Sequence, residues 1–525
     1  MNQTYVQNIQ SQMQTKSQMP QPLQQKGWRG RMMRAFGGGI YVKNKRDDFT
    51  LPNWMVGKSV LFFFIAFAAC SIAFKHFMPI GLAVITSCSV LLFFYGVQSV
   101  SRSWRRLNER RFAKNVLVWA LVIRLIWVLL SYFLLNEAIY GKLDGFGDDN
   151  GWYMDFGKGI SRWITGDIKM PFAKLREEIY DSAFDDTGYP FLLAIEYLLS
   201  LQSSDVFVPL VIKAILDAYT CMGIYYIARR HFDVGTARMA ALFMMFNPIM
   251  LFWTSCMLKE TEMTFVCVAS INMIDSTLSA GKKLTFRGLL PGLAMASLLF
   301  FVRTALALVL YLAVFAHIVF VSHKVMSNGK KVLAGVMVAI VLVIGLGDRM
   351  MSQSKQLVET VQGGNQQSNM EWRARRENGN AFAKYAGAAV FAPLILTIPF
   401  PTMNEPFDGQ YMQQELAGGY FIKNVLSFFV IIVMILLLAS GEWRKHVFIV
   451  AYTLGYLIVL VMSQYAQSGR FHMPIIPMFM IFAAYGVQIA RGNARLKRGY
   501  SMMLILEVFI CLAWNWYKLK GRGMI

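Results

Sequence analysis

Acidic residues are scarce in this chain: 30 Asp and Glu stand against 52 Lys and Arg, and charges of both signs make up only 16% of 525 positions. Cysteine and histidine are scarcer still, with six of each. The cysteines (Cys70, Cys88, Cys221, Cys256, Cys267, Cys511) lie in or beside apolar segments with no CxxC spacing, which excludes a disulfide framework and a zinc site. No apolar stretch with a small-residue cleavage site precedes the first long apolar run, so no cleavable signal peptide is expected. The Gln-rich stretch from Met1 to about Gln25 is expected to be disordered. Fixed-period repeats are absent, and the inverted repeats that would favour a transporter are not evident.

What is abundant is hydrophobic residue, 56% of the chain. That is the composition of a polytopic membrane protein. Apolar runs at 57–74, 78–97, 115–135, 207–228, 237–256, 261–279, 288–303, 304–323, 331–347, 421–440, 446–465, 473–490 and 500–517 predict about thirteen crossings of an all-α bundle. The net charge of +22 is not a nucleic-acid signature, because the cations sit in short clusters between apolar runs. Arg102, Arg105, Arg106, Arg110, Arg111 and Lys114, then Arg229-Arg230, Lys282-Lys283, Lys330-Lys331, Arg444-Lys445 and Arg491 to Arg498, all fall on one side, which the positive-inside rule makes cytoplasmic.

This divides the chain into a basic tail (1–56), an N-terminal hairpin with its basic loop (57–114), a membrane core (115–347), a second external region (348–420) and C-terminal spans (421–525). Residues 188–203 are apolar, but counting them as a span would reverse every later basic loop. They are expected to form an amphipathic helix at the outer surface. The same count places the C-terminus outside. A short apolar piece, Val390 to Pro399, is expected to dip into the interface.

Against this background residues 136–206 stand out, with 13 carboxylates against 6 cations. Asp148 and Asp149 precede a helical pattern running towards Ile160 and Trp163. An Asp there caps a helix, and the helix N-terminus also holds a carboxylate ionised, as a general base requires. Lys259, Glu260 and Glu262 mark a hairpin tip on the same side, and Arg303 and Arg470-Phe471-His472 mark two more. Cations on that side run against the charge bias of the loops and suit an anionic lipid phosphate. Within the spans, Arg124 should face the bundle interior, and Lys213 and Asp217, at i and i+4, are expected to pair with each other. Glu507 has no evident partner in the sequence.

In their order these residues resemble the polytopic GT-C class of glycosyltransferases, in particular bacterial members akin to the protein O-mannosyltransferase and aminoarabinose transferase superfamily. The match is carried by Asp149 four residues before Tyr153, Gly188-Tyr189-Pro190 opening an apolar helix, Glu260-Thr261 at a span start, Arg303-Thr304, and Arg470-Phe471 with Pro474 and Pro477. It runs from 115 to 490. Thr304 stands where a proline is common, and the hairpin 57–97 lies outside the family pattern.

The resemblance implies a GT-C-like fold and a transferase that moves a sugar from a polyprenyl-phosphate donor to an acceptor hydroxyl on a glycan, lipid or protein. The implied place is the periplasmic face of a bacterial cytoplasmic membrane. Asp149 would be the base, with Asp148 and Glu260 shaping the acceptor site. Arg470, Lys259 and Arg303 would neutralise the phosphate, and Tyr153, Tyr189 and His472 would line the pocket. No cofactor is implied, though Asp148, Asp149 and Glu260 together leave a divalent cation open. The competing readings are a lipid-linked saccharide flippase or other transporter, an O-antigen polymerase or ligase, and a non-enzymatic scaffold.

Overall fold

A computed structural model of the protein describes residues 48–140, 147–171, 173–175, 177, 188–200, 206–279, 286–321, 394–406, 411–462, 468–521 and 523–525. Among these every regular element is helical. In chain order they are α1 (Asn53–Phe74), α2 (Ile80–Leu91, continuing as helix to Arg106), α3 (Glu109–Leu130, continuing to Ile139), α4 (Gly147–Ile164), α5 (Gly188–Leu199), α6 (Phe207–His231), α7 (Val234–Met245), α8 (Pro248–Thr254), α9 (Glu260–Leu278), α10 (Phe286–Ser297), α11 (Thr304–Val321), α12 (Ala417–Ser440), α13 (Val447–Met462), α14 (Ile476–Ala490) and α15 (Ala494–Gly521).

All the expected apolar runs coincide with helices except 331–347, which lies outside the described residues, as does Lys330-Lys331. Among the described residues seven helices are long and apolar enough to cross a membrane, or eight if α7 and α8 are one bent span, consistent with a multi-pass membrane protein. The count of thirteen is not reached among the described residues. α10, α11 and α13 are shorter apolar helices, and α9 carries Glu260, Glu262 and Asp275. α5 has 12 residues, about 18 Å at the helical rise, too short to cross. It packs on α4 instead.

The interior polar groups are used to join helices. α7 and α8 meet at a bend of 47°. Asn247 caps α8, accepting from Ile249 N at 2.9 Å, and Pro248 at the first helical position removes a donor, so the last carbonyls of α7 are short of donors, Met244 O keeping Asn247 N at 3.3 Å. Arg124, in mid-α3, fills them: it donates to Met244 O at 3.3 Å and Met245 O at 3.2 Å while pairing with Asp217 at 2.6 Å. The expected Lys213–Asp217 pair does not form. Both lie on one face of α6, and each finds an opposite charge on a facing helix: Asp217 takes Arg124 on α3, and Lys213 takes Glu262 on α9 at 2.8 Å. Pairing between helices neutralises four charges instead of two and fastens α3, α6 and α9 together.

Glu507 acquires a role on the same principle. Residues 394–406 run buried between α12 and α15, and their backbone is satisfied by side chains. Lys423 donates to Leu396 O at 3.1 Å, Asn424 to Pro399 O at 3.2 Å and Asn515 to Pro401 O at 3.1 Å. Glu507 accepts from Asn424 at 3.1 Å and so orients it. Lys518 reaches Thr402 at 2.8 Å, and Met524 O lies 3.4 Å from His76 Nε2, which puts the C-terminus at the same end of the bundle as residues 75–79 and 402–406. All six cysteines are free.

Candidate functional site

The three residues singled out most strongly in the sequence meet at one end of the bundle. Arg470 Nη1 lies 2.5 Å from Asp149 Oδ2, and Arg470 Nε lies 3.0 Å from Glu260 Oε1. Asp149 sits in the first turn of α4 as a helical residue and not as its cap, and Glu260 is the first residue of α9. At each position the positive end of the helix dipole favours the carboxylate.

Arg470 is placed by what surrounds its backbone. Gly469–Ile475 forms a 3-10 turn ahead of α14. Two tyrosines of α13 hold that turn: Tyr456 Oη donates to Phe471 O at 2.9 Å and Tyr452 Oη to Pro474 O at 3.0 Å. Tyr452 in turn contacts Cys267 Sγ of α9 at 2.9 Å, so the helix that carries Glu260 and the turn that carries Arg470 are tied together. Gly469 has a local reason, since a Cβ there would run into the Tyr420 ring. Gly188 allows the start of α5 to approach the end of α10's hairpin, where a Cβ would lie 2.7 Å from Phe301 Cβ.

The two carboxylates differ in setting. The Asp149 side chain is 55% exposed and the Glu260 side chain 0%, with Arg470 between them at 17%. Neither Glu260 oxygen nor Arg470 Nε makes a hydrogen bond among the described residues. Glu260 and Arg470 therefore attract by charge alone, with the N–H directed elsewhere. Tyr153 completes the wall. Burial pushes its phenol above the ordinary range, Glu260 adds to the shift, and Arg470 opposes it.

The remaining expected residues fall around this core. The Arg303 guanidinium stacks 4.2 Å above the Phe471 ring. Lys259 is buried and donates to Val302 O at 3.2 Å, which ties it to the turn before Arg303 and away from the exposed rim. His472 is buried two residues beyond Arg470. Tyr189 is buried one layer deeper, edge-on to Tyr153 with ring centroids 5.0 Å apart. The side chain of Asp148 lies outside the described residues. Among the described residues no three His, Cys, Asp or Glu side chains are grouped to hold a metal ion.

Sequence reasoning missed the layer beneath. Lys213 Nζ binds both Glu262 oxygens and the Leu258 carbonyl, and lies 3.5 Å from the Tyr189 hydroxyl. Burial pushes the Glu196 carboxyl of α5 up to about 8, with Glu262 adding to the shift and Lys213 opposing it. The available signal was Glu262 itself, two residues after Glu260 and so facing another side of the same helix. No protein family matches this chain, and no curated protein or solved structure matches it either.

Proposed function

We propose that this protein is a membrane glycosyltransferase of the GT-C type, transferring a sugar from a polyprenyl-phosphate donor to an acceptor hydroxyl at the outer face of a bacterial cytoplasmic membrane. The observation that carries the reading is the convergence of Asp149, Glu260 and Arg470 from three distant stretches of chain onto one end of the bundle. An exposed carboxylate beside a half-buried guanidinium supplies the two things such a transfer needs. Asp149 takes the proton of the acceptor hydroxyl, whose oxygen bonds to the anomeric carbon as the bond from that carbon to the phosphate oxygen breaks. The electron pair leaves on the phosphate, where Arg470 and Arg303 hold the developing charge. A single displacement of this kind inverts the anomeric centre, and the leaving phosphate needs no strong general acid.

One observation favours a transporter: α7 and α8 form a bent pair with charges beside the bend. Arg124 already occupies the carbonyls that the bend frees, and its side chain is fully buried, which leaves that place nothing to offer a substrate. The test is a deletion strain followed by mass analysis of surface glycans and lipid-linked sugars. Accumulated donor and a glycan lacking one sugar are expected, restored by the wild-type gene and not by Asp149→Asn. Full restoration by Asp149→Asn at wild-type protein level would sink the assignment of the base.

A further inference from the structure

The ion pair that draws attention to the site also obstructs it, because a carboxylate bonded to an arginine is poorly placed to take a proton. We propose that Asp149 and a phosphate anion compete for one seat on Arg470, so that binding the phosphate releases the carboxylate to act on the acceptor hydroxyl. This rests on the glycosyltransferase reading and adds to it an order of events: donor first, active base second.

The asymmetry of the two carboxylates carries the inference. Glu260 is fully buried at the start of α9, and separating it from Arg470 would strand an unpaired charge in the interior, which is strongly unfavourable. Asp149 is more than half exposed, so water solvates it when it lets go, and exposed pairs of this kind are weak. A phosphate arriving at Arg470 therefore displaces Asp149 and leaves Glu260 as the fixed counter-charge. A phosphate oxyanion also offers several acceptor oxygens to the planar guanidinium fork, whereas Asp149 engages Nη1 through one oxygen. Arg470 Nε stays against Glu260, so the phosphate takes the Nη edge that Asp149 leaves. Asp149 is in the first turn of α4, so its release needs movement at the start of that helix only. Without a phosphate on Arg470, Asp149 stays engaged, and water in the site is not activated as a wasteful acceptor.

The experiment uses the purified full-length protein in detergent, with farnesyl phosphate and, separately, inorganic phosphate as probes. Binding is titrated for wild type, Asp149→Asn, Asp149→Ala and Arg470→Gln, each first checked for a cooperative melt. Removing the competitor should tighten farnesyl phosphate binding by about three- to fivefold in both Asp149 variants, the range expected from an exposed pair. Arg470→Gln should lose the binding. Amide hydrogen exchange in 147–156 should speed up when the wild type binds the probe, and this change should be absent in Asp149→Asn.

Equal or weaker binding by both Asp149 variants, or unchanged exchange in 147–156 on binding, overturns the exchange and leaves the donor assignment standing. If neither wild type nor variants bind farnesyl phosphate, the polyprenyl-phosphate reading fails and the exchange with it. If inorganic phosphate alone reproduces the tightening and the faster exchange, the competition is supported and the lipid is removed from it.

Discussion

Of the arginines that lie against carboxylates, Arg124 and Arg470 are built in opposite ways. Arg124 has no exposed side-chain surface and uses all five of its donors: Asp217 at 2.6 Å, Cys221 Sγ at 3.1 Å, and the carbonyls of Ala120, Met244 and Met245 at 3.3, 3.3 and 3.2 Å. Among the described residues Arg470 keeps its Nε out of any hydrogen bond, faces a Glu260 whose oxygens are likewise unbonded, and holds Asp149 at the solvent edge. A guanidinium with every donor filled can only hold helices together. One that is held in place by a buried charge and incompletely bonded can still accept a ligand, and on that difference rests the placement of function at the α4–α9 end.

The sharpest way to break the comparison is to remove each arginine and ask what is lost. Arg124→Met leaves Asp217 charged and buried and takes from Met245 O its Arg124 donor, so a destabilisation of about 3–5 kcal/mol is expected, seen as a large drop in melting temperature or in folded yield. Asp217→Asn in the same background should recover part of it, because the stranded charge is gone. A mild effect of Arg124→Met would mean that the bend is satisfied by other groups. Arg470→Lys should behave differently. An ammonium is a point charge that cannot span Asp149 and Glu260 as the fork does, so sugar transfer should fall about 100-fold while the melting temperature changes little. Equal losses of stability in the two variants would erase the distinction.

Much of this was legible in the sequence, and the part that was not has a common cause. Hydrophobic length located the helices, and the side to which basic loops fall argued against a span at 188–203, where the helix Gly188–Leu199 is too short to cross. The order of Asp149, Glu260 and Arg470 was readable because each sits at a helix end, where chain direction alone decides which face it reaches. Partners inside the bundle were not readable. Lys213 and Asp217 look like a pair at i and i+4, yet both reach across to α9 and α3, and only the packing of neighbouring helices selects that outcome. Glu507 had no partner in sequence because its partner, Asn424, is committed to the backbone of 394–406, a stretch without helical periodicity. For α10, α11 and α13 the sequence predicts crossings, and the structure shows apolar helices shorter than the spanning ones.

The smallest expected effect lies at the far end of α9, roughly 22 Å from Glu260 by the helical rise. There Asp275 accepts from His231 Nε2 at 2.8 Å, and His231 Nδ1 lies 3.1 Å from His446 Nδ1. Since Nε2 must donate to the carboxylate, a neutral His231 has only a lone pair on Nδ1, and His446 supplies the proton between them. Like Arg124, this cluster is satisfied as it stands. His446 stacks on Phe232 with ring centroids 4.8 Å apart, and burial, with His231 and Lys445 adding, pushes its imidazole down to about 3. A histidine held below its ordinary 6.5 takes up a proton more readily when unfolded. Its contribution to stability is therefore complete above pH 6.5 and lost as pH falls towards 3. Melting followed between pH 7 and pH 5 should show a loss of about 2 kcal/mol. His446→Gln, which cannot be protonated, should flatten that limb while leaving farnesyl phosphate binding at Arg470 unchanged. A limb that persists in the variant would show that His446 does not carry the titration.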